Sequence, residues 1–193
     1  MTTVPAPYAR LHEDATSLLE GWTAPNAPQD SLRREFLAVL AAEPRAMWRH
    51  GTGVHLTASC LVLDADRSQV LLTLHAKIGI WLPFGGHVEP EDRSVRGAAA
   101  RETREESGLV GLELGDLVDL DRHALPASQY SACAEHLDLR FVAVDPAGRS
   151  APVVSDESED VRWWPLDRLP APIGEDVERL VRAGIAGVIP PRP

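Results

Sequence analysis

Apolar residues recur at helical spacing in the first part of the chain. In residues 8–22 and again in residues 30–43 they fall on one face of a helix, because side chains at i, i+3 and i+4 lie above one another. Asp30 and Ser31 are N-cap candidates for the second helix, and prolines separate the two segments. The pattern predicts a helical hairpin that forms an N-terminal extension over residues 1–50.

From residue 54 the pattern changes to short apolar runs separated by turns. The runs at 55–63 and 69–74 predict a β-hairpin, and residues 94–107 predict a helix. Strands and helices mix without the regular alternation of βαβ units, which predicts an α+β domain over residues 51–193. Its other elements are strands at 110–119, 137–144 and 161–164, an exposed polar loop at 150–160 and a final helix at 174–183.

Composition and charge limit the classes of molecule that we expect the protein to bind. The 193 residues are 44% hydrophobic and 25% charged, as in an ordinary globular domain with a core. Nineteen Lys and Arg against 29 Asp and Glu give a net charge of −10, which disfavours a surface for a nucleic-acid polymer or an anionic membrane. A small phosphate-bearing substrate stays compatible, because a bound divalent cation inverts the local sign of charge.

Cysteine usage and the absence of long apolar runs indicate a cytoplasmic protein. Cys60 and Cys133 cannot form a disulfide framework, and neither has a second cysteine at metal-ligand spacing. The first residues lack the basic and apolar regions of a secretory signal. No stretch approaches the roughly 18 apolar residues of a membrane span.

Three glutamates in the predicted helix 94–107 form the clearest candidate for chemistry. Glu102, Glu105 and Glu106 stand at i, i+3 and i+4, so their carboxylates share one helix face. Like charges at this spacing repel one another, and a hard divalent cation would offset the repulsion because it takes oxygen ligands. The alternative is a solvated, ion-paired face in which Arg101 pairs with Glu105.

This segment resembles the Nudix box, G-x5-E-x7-R-E-U-x-E-E-x-G-U, where U is a bulky apolar residue. The block R-E-x-x-E-E-x-G matches in full from Arg101 to Gly108, and Leu109 fits the last apolar position. The chain is therefore similar to the Nudix hydrolases, the MutT-like pyrophosphohydrolases. The resemblance implies the Nudix fold, a mixed β-sheet between helices.

The chain departs from the box in three places. The first acidic position holds Asp92, with Glu91 as an alternative beside it, and Thr103 stands at the inner apolar position. The spacing from Gly86 to Arg101 is one residue longer than in the family, where an insertion in the loop or first helical turn is tolerable. None of these departures touches the three glutamates.

The resemblance also implies a reaction and a set of ligands. Nudix enzymes hydrolyse a diphosphate joined to another group, with Mg²⁺ or Mn²⁺ as cofactor, so the expected partner is a small-molecule diphosphate. By position, Glu102, Glu105 and Glu106 would be metal ligands together with the carbonyl of Gly86, and Glu102 alternatively orients or deprotonates the attacking water. Arg101 would hold the carboxylates in place through ion pairs.

In this family a carboxylate from outside the box often serves as general base. Glu157 is favoured because it lies in a predicted loop that can close over substrate. The remaining candidates are Glu135, Asp138 and Glu159.

The glycine pair and the histidine after it are the expected substrate-binding residues. Gly85 and Gly86 allow close approach of backbone and substrate, and His87 follows them, where it would contact phosphate or serve as an accessory metal ligand. His55 and His136, in or beside predicted strands that flank the box, are interpreted as hydrogen-bonded structural histidines.

Two other functions share this fold. A non-catalytic Nudix module that senses a ligand usually lacks box carboxylates, whereas this chain keeps all three glutamates. An enzyme similar to isopentenyl-diphosphate isomerase would place a histidine after a glycine, as here, but needs a reactive cysteine where Phe84 and Gly85 stand.

The broad apolar stripe of the second N-terminal helix adds the expectation of a homodimer.

Overall fold

The structure of the protein is a computed structural model that describes residues 3–125 and 133–187. It confirms the α+β class: seven strands lie in one sheet with the order β3-β2-β1-β6-β5, while β4 pairs with β1 and β7 with β2. The strands are β1 Val54–Asp64, β2 Gln69–His75, β3 Trp81–Leu82, β4 Phe84–His87, β5 Glu113–Ala124, β6 Glu135–Asp145 and β7 Ser158–Pro165. The helices are α1 Ala9–Gly21, α2 Ala27–Ala42, α3 Val95–Ser107 and α4 Val177–Gly187.

The chain divides into two compact units. The first holds the described residues of 1–58, 86–98 and 120–139, and the second holds those of 59–85, 99–119 and 140–193. The predicted boundary between residues 50 and 51 stays a prediction, and residues 188–193 at the end of the predicted domain lie outside the described part of the chain. Among the helices that the structure describes, none is long and apolar enough to cross a membrane.

In the second unit, α4 packs against a core made by the sheet. Val177, Leu180 and Val181 of α4 join sheet residues such as Leu61 in one cluster of buried side chains. Gly184 lets the helix approach closely, because a Cβ at this position would lie 2.7 Å from a methyl carbon of Leu61. The sheet is therefore covered by an apolar helix face, as a sheet with one buried surface requires.

The hairpin between β1 and β2 is closed by Asp64. Its carboxylate accepts backbone N–H groups of Ser68, at 2.7 Å, and Gln69, at 2.9 Å. An aspartate that caps the backbone two or more residues ahead stabilises a turn. The predicted hairpin forms with Val62 opposite Leu71.

The N-terminal helical pair is present, but α2 begins earlier than predicted. Asn26, not Asp30 or Ser31, is its N-cap, because the Asn26 Oδ1 accepts the N–H of Gln29 at 3.0 Å. Pro28 lies in the first turn of the helix, where a missing N–H breaks no helical hydrogen bond. Of the two prolines between the predicted helical segments, Pro25 precedes α2 and Pro28 is part of it.

The predicted loop at 150–160 is shorter than expected. Strand β7 begins at Ser158, and Asp160 lies opposite Leu74 of β2. The first three residues of β7 are polar, so the hydrophobic pattern predicts a start at residue 161 instead. Pairing with β2, rather than hydrophobicity, brings these polar residues into the sheet.

In the first unit, a helix side chain pairs with the terminal strand of the sheet. Gln29 of α2 is buried, and its side-chain Nε2 donates to the carbonyl of Leu120 in β5 at 2.9 Å. The N–H of Leu120 donates in return to the Gln29 Oε1 at 2.7 Å. The side-chain amide thus satisfies two backbone groups of β5, which is the last strand in the sheet order.

We expect Gln29→Leu to lower the free energy of unfolding by about 1–3 kcal/mol, because it removes the two buried hydrogen bonds that the side-chain amide makes with the backbone of Leu120. Urea denaturation followed by circular dichroism measures the change. Ser31→Ala, at an exposed position of the same helix, is the control and should stay within about 0.5 kcal/mol of the unmodified protein. Equal stability of the Gln29→Leu variant would contradict the assigned role.

Candidate functional site

The three glutamates lie on α3, a helix that begins after Ser94 and ends before Gly108. The hydroxyl of Ser94 accepts the N–H of Gly97 at 2.9 Å and caps the start of α3. Gly108 follows the last helical residue with a φ of +69°, a left-handed conformation that ends helices and favours glycine. The helical spacing of the carboxylates is thus secured at both ends by local contacts.

Arg101 links two of the three carboxylates. Its Nη1 lies 3.0 Å from the Glu102 Oε1 and 3.0 Å from the Glu105 Oε2. The side chain of Glu102 is 15% exposed, whereas that of Glu105 is 53% exposed. The Arg101–Glu105 ion pair expected for a solvated helix face does form. However, Glu102 pairs with the same guanidinium and is largely buried, and a buried carboxylate is not typical of a solvated face.

Glu106 is the carboxylate most affected by its surroundings. Its Oε2 accepts the backbone N–H of Gly85 at 3.3 Å. Burial, followed by the negative charge of Glu102, raises the pKa of Glu106 to about 8, although the hydrogen bond from Gly85 acts in the opposite direction. Burial also raises the pKa of Glu102, against the influence of Arg101.

Glu157 belongs to the same electrostatic cluster. Its charge contributes to the raised pKa of both Glu102 and Glu106. The backbone carbonyl of Glu157 accepts the N–H of Ala76 at 3.0 Å, so the residue is tied to the chain just after β2 and does not lie on a free loop. The structure therefore brings together Arg101 and four carboxylates, all within the second unit.

The other candidates for a general base have different neighbours. Glu135 pairs with Arg122 at 2.7 Å, and Asp138 accepts the hydroxyl of Thr57 at 3.0 Å. Glu159 is exposed on β7. Of these candidates, Glu157 is the one whose charge acts on Glu102 and Glu106.

Two departures from the box have a structural explanation. Thr103 is buried, and its hydroxyl donates to the carbonyl of Ala99 at 2.7 Å, so the helix backbone satisfies a polar group at an apolar position. Asp92 is buried, and its Oδ2 accepts the N–H of Glu89 at 2.8 Å. Asp92 therefore stabilises the turn before α3, and Glu91 is exposed.

Carboxylate oxygens are the donors that Mg²⁺ and Mn²⁺ prefer. Glu102, Glu105 and Glu106 supply such oxygens from one helix face, and their mutual repulsion would be offset by a divalent cation. The donor set therefore fits the cofactor implied by the sequence.

His87 is placed with two other histidines in the first unit. Its Nε2 lies 3.0 Å from the Nε2 of His55, and its ring centroid lies 5.2 Å from that of His136. Burial, together with neighbouring positive charges, lowers the pKa of His87 to about 3 and that of His136 to about 4, although the charge of Asp138 acts in the opposite direction on His136. The sequence does not predict this cluster, because the histidines lie on three different strands and no spacing motif connects them.

Comparison with known proteins identifies the family. The family model described as NUDIX domain matches residues 53–183. NAD-capped RNA hydrolase NudC of Stutzerimonas stutzeri is 34% identical over 136 residues, which are 67% of this chain and 45% of that protein. The m7GpppN-mRNA hydrolase NUDT17 of Bos taurus is 36% identical over 80 residues, 37% of this chain and 26% of that protein. The chain thus spans less than half the length of these curated relatives.

The fold is also found among solved structures. A MutT NUDIX hydrolase from Burkholderia pseudomallei superposes with a TM-score of 0.53 at 21% identity, over 67% of this chain and 97% of that chain. The matched range 53–183 includes the glycine pair, α3 with its carboxylates, and β7, and it makes up well over half of the chain. On this evidence the protein belongs to the Nudix hydrolase family.

Proposed function

We propose that the protein hydrolyses a diphosphate linkage in a nucleotide or nucleotide derivative with the help of a divalent metal ion. The observation that carries the proposal is a cluster of carboxylates in which Arg101 pairs with Glu102 and Glu105. The charges of Glu105 and Glu157 also act on both Glu102 and Glu106. Burial raises the pKa of Glu102 and Glu106, and largely buried carboxylates with raised pKa values are typical of functional sites rather than of solvated helix faces.

Glu102, Glu105 and Glu106 would hold Mg²⁺ or Mn²⁺, and the family resemblance adds the carbonyl of Gly86 as a further ligand. When bound, the ion lowers the pKa of a water molecule and neutralises charge on the leaving phosphate. Among the residues, Arg101 orients Glu102 and Glu105 through its shared Nη1, and the N–H of Gly85 orients Glu106. Preorganised ligands of this kind need no rearrangement when substrate binds.

Glu157 would accept the proton of the attacking water. Its backbone bond to Ala76 holds it in position, and its charge already acts on Glu102 and Glu106. A positioned carboxylate at hydrogen-bond distance from a water molecule is an effective general base.

The substrate would be a small nucleotide derivative bound near the glycine pair, Gly85 and Gly86. Of the two roles predicted for His87, that of an accessory metal ligand agrees better with its position beside His55 and His136 than phosphate contact does. Both curated relatives are named for hydrolysis of capped RNA, so a capped RNA end is the competing substrate. A net charge of −10 favours the small molecule, because it repels the phosphates of an RNA chain.

We expect Glu106→Gln to keep the fold and to lower kcat by at least about 100-fold, because the amide retains the size of the side chain but removes a metal-binding charge. Steady-state kinetics with Mg²⁺ measures the loss, and circular dichroism checks the fold. Glu113→Gln, at an exposed position at the start of β5, is the matched control and should have normal kcat. Near-normal turnover in Glu106→Gln would show that the glutamates are misassigned.

We expect Glu157→Gln to lower kcat by about 10²–10⁴-fold, the range that loss of a general base produces. Its affinity for Mn²⁺, measured by calorimetry, should change much less, because Glu157 is not assigned as a ligand. Glu159→Gln, two residues further on and exposed, should retain activity. Loss of activity in Glu159→Gln instead would assign the base to that residue.

The substrate test is a panel of nucleoside triphosphates, oxidised nucleotides, ADP-ribose, NADH, nucleotide sugars, dinucleoside polyphosphates and a capped RNA, with Mg²⁺ or Mn²⁺. Release of phosphate or nucleoside monophosphate that disappears with Glu106→Gln would support hydrolysis. Binding of a panel compound without turnover would instead favour a ligand-sensing module. Isomerisation of isopentenyl diphosphate by the protein would favour the isomerase.

A further inference from the structure

We propose that His55, His87, Cys133 and His136 form a zinc site in the first unit of the protein. One side-chain donor atom from each residue, a ring nitrogen or the cysteine sulfur, lies within 4.8 Å of all the others. None of the four belongs to the carboxylate cluster on α3. The proposed site is thus additional to the metal site of the proposed hydrolase and does not depend on it.

The spacing of the donors suits a tetrahedral ion after a small contraction. Zn–N bonds of about 2.0–2.1 Å and Zn–S bonds of about 2.3 Å place tetrahedral donors roughly 3.3–3.7 Å from one another. His55 and His87 already have ring nitrogens 3.0 Å apart, and the His136 ring centroid lies 5.0 Å from that of His55. The required movements are of the size that side-chain rotation supplies.

The chemistry of the donors selects zinc over the cofactor of the carboxylate cluster. Three imidazoles and one thiolate are nitrogen and sulfur ligands, which suit Zn²⁺ and are poor ligands for Mg²⁺. Four protein ligands complete a tetrahedral shell and leave no position for substrate, which is typical of a structural rather than a catalytic zinc ion.

The surroundings also favour a ligand at this place. His55 is fully buried, which is costly for a polar ring unless its nitrogens are used. Within the part of the chain that the structure describes, the buried Nε2 of His136 has no hydrogen-bond partner. A coordinate bond would satisfy polar atoms of this kind, whereas a purely structural histidine is expected to make hydrogen bonds.

Nearby side chains form a second layer around the cluster. The His123 ring packs 5.3 Å from that of His136, and its Nδ1 lies 2.9 Å from the Asp121 Oδ2. Asp138 also acts on His136 with its negative charge. A carboxylate close to an imidazole ligand favours a bound cation, and the charge of Asp138 opposes that of Arg49 at His136.

The zinc ion would join segments that are far apart in sequence. His55 comes from the start of β1 and His87 from the end of β4. His136 comes from the start of β6, and Cys133 lies just before that strand. A cross-link between distant segments restricts the unfolded chain, and metal-binding free energy is folding free energy where no site exists in the unfolded state. The site would therefore stabilise the first unit.

The experiment measures Zn²⁺ binding by the full chain after removal of metals with a chelator. A competition titration with a chromophoric zinc chelator should give one tightly bound Zn²⁺ per chain, with a higher melting temperature than the metal-free protein. Co²⁺ in place of Zn²⁺ should give the spectrum of a tetrahedral ion with a sulfur-to-cobalt charge-transfer band.

Matched variants test the ligands. Cys133→Ser and His136→Ala should each weaken Zn²⁺ binding by at least about 100-fold, and Cys133→Ser should remove the charge-transfer band. Cys60→Ala and His75→Ala, a cysteine and a histidine outside the cluster, should bind Zn²⁺ normally. Glu106→Gln should also keep the zinc ion, which separates this site from the carboxylate cluster.

The proposal is overturned if the metal-free chain takes up no stoichiometric Zn²⁺, or if both Cys133→Ser and His136→Ala bind it as tightly as the unmodified protein. Loss of Zn²⁺ in Glu106→Gln with retention in Cys133→Ser would place the ion at the glutamates and would overturn it equally. If one variant fails to fold, the other variant and the Co²⁺ spectrum of the unmodified protein decide.

Discussion

Repulsion between carboxylates on one face of α3 is the constraint on which the site in the second unit depends. The period of α3 brings Glu102, Glu105 and Glu106 together, and burial makes the charges of Glu102 and Glu106 more costly than on an open surface. Arg101 offsets part of this cost for two of them, and the N–H of Gly85 for the third. The proposed cation would explain such an arrangement, because stability alone would favour fewer charges.

Hydrogen bonds from polar side chains stabilise a turn, a strand and a helix start of the fold. Asp64 closes the hairpin between β1 and β2, Gln29 covers the terminal strand β5, and Ser94 starts the helix that carries the glutamates. Each of them makes hydrogen bonds with backbone groups of a turn, a strand or a helix start. The same principle explains how Thr103 occupies an apolar position of the box, since its hydroxyl bonds to the helix itself.

The two candidate metal sites differ in the type of ligand. The cluster on α3 offers oxygen atoms, which suit Mg²⁺ or Mn²⁺, whereas the cluster around His55 offers nitrogen and sulfur, which suit Zn²⁺. Ligand chemistry of this kind separates metals more reliably than affinity alone. The two proposals would thus assign a hydrolytic role to one ion and a stabilising role to the other.

The sequence by itself determined the features that depend on neighbours along the chain. The glutamates of α3 are three and four residues apart, so helical periodicity alone places them on one face, and the box motif identifies the family. Pairing between strands decided the start of β7, where polar residues hide the strand. Tertiary structure alone decided the histidine cluster and the position of Glu157, because these contacts join residues that are distant in sequence and leave no local pattern. The residues of the cluster are His55, His87, Cys133 and His136.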